Sequence, residues 1–90
     1  MNQEKIGMFI AQERKNNNLT QEQLVNKLGV TSKSISRWEN GKTMPDISLF
    51  EPLCDELNIT INDLMSGEEI EDKNYKTTFE KNVVNVVSNI

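Results

Sequence analysis

Two short apolar patterns at helical spacing, separated by a tight turn, constrain this chain more than any other feature of its sequence. The first pattern lies in residues 21–28 and the second in residues 31–40. Between them stand Gly29, a residue type that ends helices in the left-handed conformation, and Thr31, a residue type that caps the start of the next one. The sequence therefore predicts two helices joined by a short glycine-containing turn.

Paired helix-start signals occur twice along the chain. Thr20 is followed three residues later by Gln23, and Thr60 is followed in the same way by Asp63. In such a capping box each side chain bonds the backbone amide of the other residue. These signals predict a second helix that begins after Thr20 and a short fifth helix that begins after Thr60. The fifth helix would hold Ile61, Leu64 and Met65 and would end at Ser66-Gly67.

The first and fourth helices follow from their apolar stripes. Ile6, Phe9 and Ile10 predict a helix over residues 4–16. The fourth stripe contains Pro52, which would remove a backbone bond from a helix interior. With Asp46 as its N-cap, the helix would bend at Pro52. Otherwise it begins later, near Leu49, with Pro52 in its first turn; we favour a start near Ser48, which would cap it. The residues of this stripe are Ile47, Phe50, Leu53, Cys54 and Leu57.

The chain divides into three parts by composition. Residues 1–66 form one helical domain, residues 67–73 read as an acidic linker, and residues 74–90 carry an apolar pattern at helical spacing. We interpret the last part as a sixth, amphipathic helix, although its valines raise strand propensity. The pattern reaches Ile90 without a terminating signal, so we expect a truncated longer chain or a segment that docks on a partner.

The amino-acid counts exclude several classes of protein. The chain contains no His and one Cys, which excludes His-dependent catalytic triads, Cys/His zinc sites and an internal disulfide framework. It also lacks the apolar run of roughly 18 residues that a membrane span needs. We therefore expect a cytoplasmic protein that is not an enzyme and that has no cofactor or metal. Cys54 is expected to be a small buried hydrophobe, and the acids after Gly67 a solvated linker.

Charge is distributed unevenly between the two halves of the chain. The net formal charge is −4. Residues 1–45 hold seven bases and four acids, for a net of +3, whereas residues 46–90 hold three bases and ten acids, for a net of −7. The positive half contains the predicted helix pair. An overall acidic balance therefore does not exclude a nucleic-acid partner for that half.

The helix pair resembles the Cro/repressor-type helix-turn-helix family, the XRE-like or lambda-repressor-like DNA-binding domains. The similarity covers roughly residues 4–66 and implies an all-α, five-helix DNA-binding domain. One departure is Val25, where the family usually has Ala at the crossing of the two helices. The residues that match the family pattern are Arg14, Thr20, Gln21, Leu24, Gly29, Val30, Thr31, Ile35, Ser36, Trp38, Glu39, Gly41, Pro45 and Leu57.

The resemblance implies that the helix over residues 31–40 enters the major groove of double-stranded DNA. Base contacts are expected from Ser32, Lys33, Ser36 and Arg37. Backbone contacts are expected from Gln21, Thr31, Ser34, Asn40, Lys42 and Thr43. For Ser32 and Ser36 a solvated polar face is the simpler alternative, and Asn40 can serve only to end its helix. Trp38 is expected to lie in the core.

The resemblance also carries expectations about assembly. Arg14 and Glu39 are expected to form a structural ion pair between the first and third helices. A homodimer would bind an inverted repeat and act as a repressor in a prokaryotic or phage setting, associated with the nucleoid, although activation remains open. The alternative is an antitoxin or sensor module whose residues 74–90 bind a partner protein. No membrane contact is expected.

Overall fold

A computed structural model describes residues 2–70, and this part of the chain is built from helices. It contains five α-helices and one short 3-10 turn, and no strand occurs within residues 2–70. The all-α, five-helix prediction is therefore confirmed. The predicted helix over residues 74–90 lies outside the described residues. The helices are α1 (Gln3–Asn16), α2 (Gln21–Leu28), α3 (Ser32–Glu39), α4 (Phe50–Leu57) and α5 (Ile61–Ser66).

Local signals in the sequence set most of the helix ends. Thr20 caps α2 and Thr60 caps α5, and both predicted capping boxes are present with their two reciprocal hydrogen bonds. Gly29 ends α2 at a φ of 68° and Gly67 ends α5 at a φ of 69°, as expected of residues in the left-handed region. These bonds satisfy backbone groups that the first and last turns of a helix leave unpaired.

The start of the fourth helix differs from the favoured prediction. Asp46, and not Ser48, is the capping residue, and it caps a 3-10 turn over Ile47–Leu49 that precedes α4. Its carboxylate accepts hydrogen bonds from the amide of Ser48 at 3.0 Å and from the hydroxyl of Ser48 at 2.5 Å. These two bonds hold the pKa of Asp46 below its usual value. Pro52 is the third residue of α4, inside the first turn as predicted, where no intrahelical donor is lost.

The core is a single apolar cluster to which α1 to α5 all contribute side chains. Two predicted stripe members are exposed to solvent instead: Ile47 is 78% exposed and Ile61 is 47% exposed. Ile47 lies in the 3-10 turn, whose tighter winding breaks the angular register of α4. Ile61 is the first residue of α5, ahead of the turn that faces the core. The buried apolar residues are Ile6, Phe9, Ile10, Leu24, Ile35, Trp38, Leu53, Cys54, Leu57 and Leu64.

Close packing between α1 and the end of α3 sets the position of the helix pair. Gly7 of α1 lies against the backbone carbonyl of Trp38, and a Cβ atom at this position would collide with it. The amide of Gly41 lies 2.9 Å from the same Cβ position. Glycine at position 7 therefore allows the two helices to approach more closely than any side chain would permit. Within residues 2–70, no helix is both long and apolar enough to cross a membrane.

Candidate nucleic-acid interface

Helix α3 presents one buried and one open face. Ile35 and Trp38 are buried at 0% and 4% exposure, which confirms that the tryptophan belongs to the core. Ser32, Lys33 and Arg37 are exposed on the other side. This division follows from helical geometry, because residues three and four apart share a face. The exposed polar residues of α3 therefore form a surface to which no other described element of the chain is packed.

The start of α3 is held by its capping threonine. The Thr31 hydroxyl oxygen accepts a hydrogen bond from the backbone amide of Ser34 at 3.0 Å. The same hydroxyl donates a hydrogen bond to the Ser34 hydroxyl oxygen at 3.0 Å. Both side chains are therefore already engaged in the cap. A phosphate accepts hydrogen bonds, so a contact needs a free hydroxyl hydrogen: Ser34 keeps its own, whereas the Thr31 hydrogen is donated to Ser34. The role of either residue in touching a DNA phosphate stays a prediction.

Three cations around α3 form no ion pair with an acid of the described residues 2–70. The ion pairs found within residues 2–70 are Lys5 with Glu68, Arg14 with Glu39 and Lys27 with Glu56. Lys33, Arg37 and Lys42 take part in none of these pairs, and all three residues are exposed. Unpaired cations on one side of a helix create a local positive potential even when the whole chain is acidic. An anionic partner is the chemistry that such a surface favours.

The side chain of Asn40, the residue that caps the end of α3, is hydrogen-bonded to Ser36 in the preceding turn. The Asn40 side-chain nitrogen donates to the Ser36 carbonyl oxygen at 2.8 Å and to the Ser36 hydroxyl oxygen at 3.3 Å. Its donor capacity is therefore used within the helix. This local role matches the alternative in which Asn40 serves to end the helix. The Ser36 hydroxyl, half-buried, keeps its own hydrogen for donation.

The loop after α3 is tied to the first turn of α1. The Gln3 side-chain nitrogen donates to the Gly41 carbonyl oxygen at 2.9 Å. Gly41 has a φ of 71°, and a Cβ atom there would lie 2.8 Å from the Glu4 Cα atom. The Lys42 amide also donates to the Arg37 carbonyl at 2.8 Å. This anchoring of the loop by Gln3 was not predicted, because the two partners are far apart in sequence and share no motif.

A polar network joins α1, α2 and α3 at the back of the helix pair. Arg14 Nε donates to Glu39 Oε2 at 2.7 Å, and Arg14 Nη2 donates to Glu39 Oε1 at 3.1 Å. The side chains of Arg14 and Glu39 are 10% and 6% exposed. Gln21 Nε2 adds a third bond, to Glu39 Oε1 at 2.8 Å. The structure thus pairs Arg14 with Glu39 and brings Gln21 to the same carboxylate, a contact that sequence reasoning missed.

The residues predicted to contact DNA fall into two sets, one for the bases and one for the DNA backbone. The four expected base-contacting residues all lie on α3; three of them are exposed and Ser36 is half-buried. The expected backbone-contacting residues lie at the first residue of α2, at the start of α3 and in the cap and loop that follow it. Within residues 2–70 no group of His, Cys, Asp and Glu side chains could hold a metal ion.

Comparisons with known proteins agree with this architecture. The sequence matches a helix-turn-helix domain family over residues 7–70. It is 41% identical over 61 residues to the HTH-type transcriptional activator BcrR of Enterococcus faecalis, a stretch that covers 68% of this chain and 30% of that protein. It is 29% identical over 65 residues to Antitoxin PezA of Streptococcus pneumoniae, covering 72% of this chain and 41% of that protein.

These matches span less than half the length of either relative, so they concern the helical domain and not the whole of those proteins. The matched residues contain α2, the turn and α3, together with most of α1 and all of α4 and α5. The predicted resemblance is confirmed by the family match and by the five-helix architecture: the chain belongs to the helix-turn-helix domain family.

Proposed function

We propose that this protein is a sequence-specific regulator of transcription that binds double-stranded DNA with α3 in the major groove. The observation that carries the proposal is the exposure of two cations on α3, Lys33 and Arg37, which form no ion pair within residues 2–70. They lie opposite the buried face of the helix. An α-helix fits the major groove, where each base pair presents a distinct pattern of donors and acceptors. Membership of the helix-turn-helix family and similarity to a transcriptional activator support the same function.

Base reading is assigned to four side chains of α3. Lys33 and Arg37 are four residues apart and share a face, and both can donate to the O6 and N7 atoms of guanine. Arg37 can do so through two parallel bonds, which makes it the stronger discriminator. Ser32 and Ser36 have short hydroxyls that can reach bases or phosphates close to the helix axis.

Contacts to the DNA backbone are assigned to residues around α3. Lys42 supplies a full positive charge to a phosphate, and Thr43 a hydroxyl beside it. Gln21 opens α2, where the first amides of the helix and its positive dipole end favour an anion. Thr31, Ser34 and Asn40 complete the proposed set. Phosphate contacts position the protein on the duplex, whereas the base contacts select the sequence.

A single domain of this size contacts few phosphates, so we propose that the protein acts as a homodimer on an inverted repeat. The half-sites would then lie roughly 34–36 Å apart, one helical turn of DNA. Repression by occlusion of a promoter is our first expectation for the regulatory outcome. Because BcrR is an activator, the sign of regulation needs its own measurement, with a reporter gene placed behind the selected site. A cytoplasmic location follows from this function.

The test is selection of bound sequences from random duplex DNA with the full chain at two salt concentrations. We expect an enriched inverted repeat and a bound complex with two chains per duplex, measured by light scattering. Non-specific binding falls steeply with salt, so a sequence preference that persists at the higher concentration identifies specific recognition. Failure to enrich any motif would reject the proposal.

A second candidate is an antitoxin or sensor module, favoured by the similarity to Antitoxin PezA. In this case residues 74–90 would bind a partner protein, and DNA binding by the helix-turn-helix would be secondary to that interaction. The same selection separates the two functions. An enriched repeat bound by the chain alone favours the regulator, whereas weak DNA binding that improves only with a protein partner favours the second candidate.

A further inference from the structure

We infer that Glu39 is a positioning residue for the phosphate contact proposed for Gln21, an inference that rests on the proposed function. Gln21 is the first residue of α2 and Glu39 is the last residue of α3. Their side chains meet in a part-buried hydrogen bond, Gln21 Nε2 to Glu39 Oε1, at 2.8 Å. The end of the recognition helix is thereby connected directly to the residue that would meet the DNA backbone.

The Glu39 carboxylate is itself immobilised by α1. Arg14 donates to both of its oxygens, at 2.7 Å and 3.1 Å, and Arg14 Nη1 donates to the Leu19 carbonyl at 2.7 Å. The Glu39 side chain is only 6% exposed. A two-point guanidinium–carboxylate pair has a fixed relative orientation. Oε1 is therefore an acceptor at a fixed place, and Gln21 must turn its amide toward it.

This arrangement prepares Gln21 for an anion. A glutamine amide has two N–H donors, and the bond to Glu39 uses one of them. The second donor and the amide at the start of α2 are left for a phosphate. The bond also selects one rotamer of a flexible side chain before DNA arrives, which removes an ordering cost from binding. Arg14 neutralises the carboxylate, so the negative charge of Glu39 does not repel the phosphate.

A double-mutant cycle on DNA binding tests this role. The variants are Gln21→Ala, Glu39→Gln and the double variant, assayed on the selected duplex at a temperature where circular dichroism shows each to be folded. We expect Gln21→Ala to weaken binding about tenfold, the size of one hydrogen bond to a charged group. Glu39→Gln is expected to weaken binding several-fold alone and to add nothing in the Gln21→Ala background. Gln12→Ala, which removes an exposed glutamine of α1, is the matched control and should bind as the parent does.

The salt dependence distinguishes this role from a loss of charge. Gln21 is neutral, so its loss releases no counterion, and the slope of log affinity against log salt should stay at the parent value in Gln21→Ala. Equal losses from Glu39→Gln in both backgrounds would overturn the inference, since a general weakening of the fold acts regardless of residue 21. Absence of any enriched DNA motif would overturn the proposed function and, with it, the role of Glu39.

A measurement on the unmodified protein covers the case in which Glu39→Gln does not fold. Hydrogen exchange of the side-chain amide of Gln21, followed by nuclear magnetic resonance, reports its bond to Glu39 without DNA. The reference is Gln23, which uses its carbonyl oxygen rather than its nitrogen in the capping box. We expect exchange at Gln21 to be about tenfold slower than at Gln23, the factor for one protecting bond. Equal exchange rates would overturn the inference.

Discussion

The guanidinium of Arg14 and the carboxylate of Glu39 form a two-point ion pair that joins α1 to the end of α3. Its two bonds measure 2.7 Å and 3.1 Å, and both side chains are at most 10% exposed. The pair holds α3 against α1 at the end opposite to its capping threonine. Because Gln21 bonds the same carboxylate, three helices share one polar centre behind the proposed DNA-binding face.

Replacement of Arg14 by methionine should destabilise the protein strongly. The change leaves the Glu39 carboxylate buried without its charge partner, which costs about 3–5 kcal/mol in free energy of unfolding. Urea denaturation followed by circular dichroism measures the change. Lys5→Met is the matched control, because its pair with Glu68 is 47% and 61% exposed and should contribute less than about 1 kcal/mol. Equal urea midpoints for Arg14→Met and the parent would contradict the burial argument.

Replacement of Gly7 by alanine should destabilise the protein although alanine is the better helix former. Propensity favours alanine by about 0.5–1 kcal/mol, whereas overpacking against the Trp38 carbonyl costs about 1–3 kcal/mol. Thermal unfolding gives the net sign. Gly29→Asn is the control, since no atom lies within 4 Å of an added Cβ there and asparagine tolerates the left-handed backbone. A higher melting temperature for Gly7→Ala would show that α1 and α3 can separate without cost.

Replacement of Arg37 by alanine should reduce both affinity and selectivity for DNA. We expect a loss of about 1–3 kcal/mol in binding free energy and a relaxed preference at one position of the selected site. Fluorescence anisotropy on the selected duplex and on its single-base variants measures both. If Arg37→Ala weakened binding to every variant equally, Arg37 would be a phosphate contact and not a base reader.

Replacement of Lys42 by alanine should weaken binding to all sequences alike. Lys42 is exposed in the loop that Gln3 ties to α1, and it carries no ion pair within residues 2–70. Loss of one phosphate contact flattens the slope of log affinity against log salt by about one unit. Lys15→Ala, at an exposed lysine in the last turn of α1, is the charge-matched control. A parallel fall in the slope of both variants would indicate long-range charge rather than a local contact.

Cys54 should react slowly with alkylating reagents in the folded protein. Burial raises the pKa of its thiol, and the charges of Asp55 and Asp63 raise it further. The pKa of the Cys54 thiol is higher in the folded protein than in the unfolded chain. Its contribution to the free energy of unfolding is therefore fully present below the unfolded pKa of about 8.5 and is lost as the pH rises through the folded pKa. Iodoacetamide labelling in buffer and in urea compares the reactivity of the thiol in the folded and unfolded states. In Cys54→Ala, the decline of the free energy of unfolding with pH in this range should disappear. Labelling at the same rate in both states would contradict the burial of the thiol.

Sequence reasoning succeeded where the interactions are local. The capping boxes at Thr20 and Thr60 close within three residues, so the residue types at that spacing were sufficient to predict them. Gly29 and Gly67 were predicted correctly for a similar local reason: both adopt a left-handed backbone conformation that residues with a side chain disfavour. The start of α4 was mispredicted because two candidate caps, Asp46 and Ser48, compete at a spacing of two residues. The carboxylate accepts both donors of the serine, and that competition is decided by detailed geometry.

The sequence by itself determined the five helices, their main caps and the polar face of α3, because helical periodicity and capping depend on residues at most a few positions apart. Only the tertiary structure decided what lies behind that face. The bonds from Gln21 to Glu39 and from Gln3 to Gly41 link residues 18 and 38 positions apart, and the contact of Gly7 with Trp38 depends on how closely two helices pack. Such contacts arise when the apolar stripes of different helices bury one another, so no local pattern of residues specifies them.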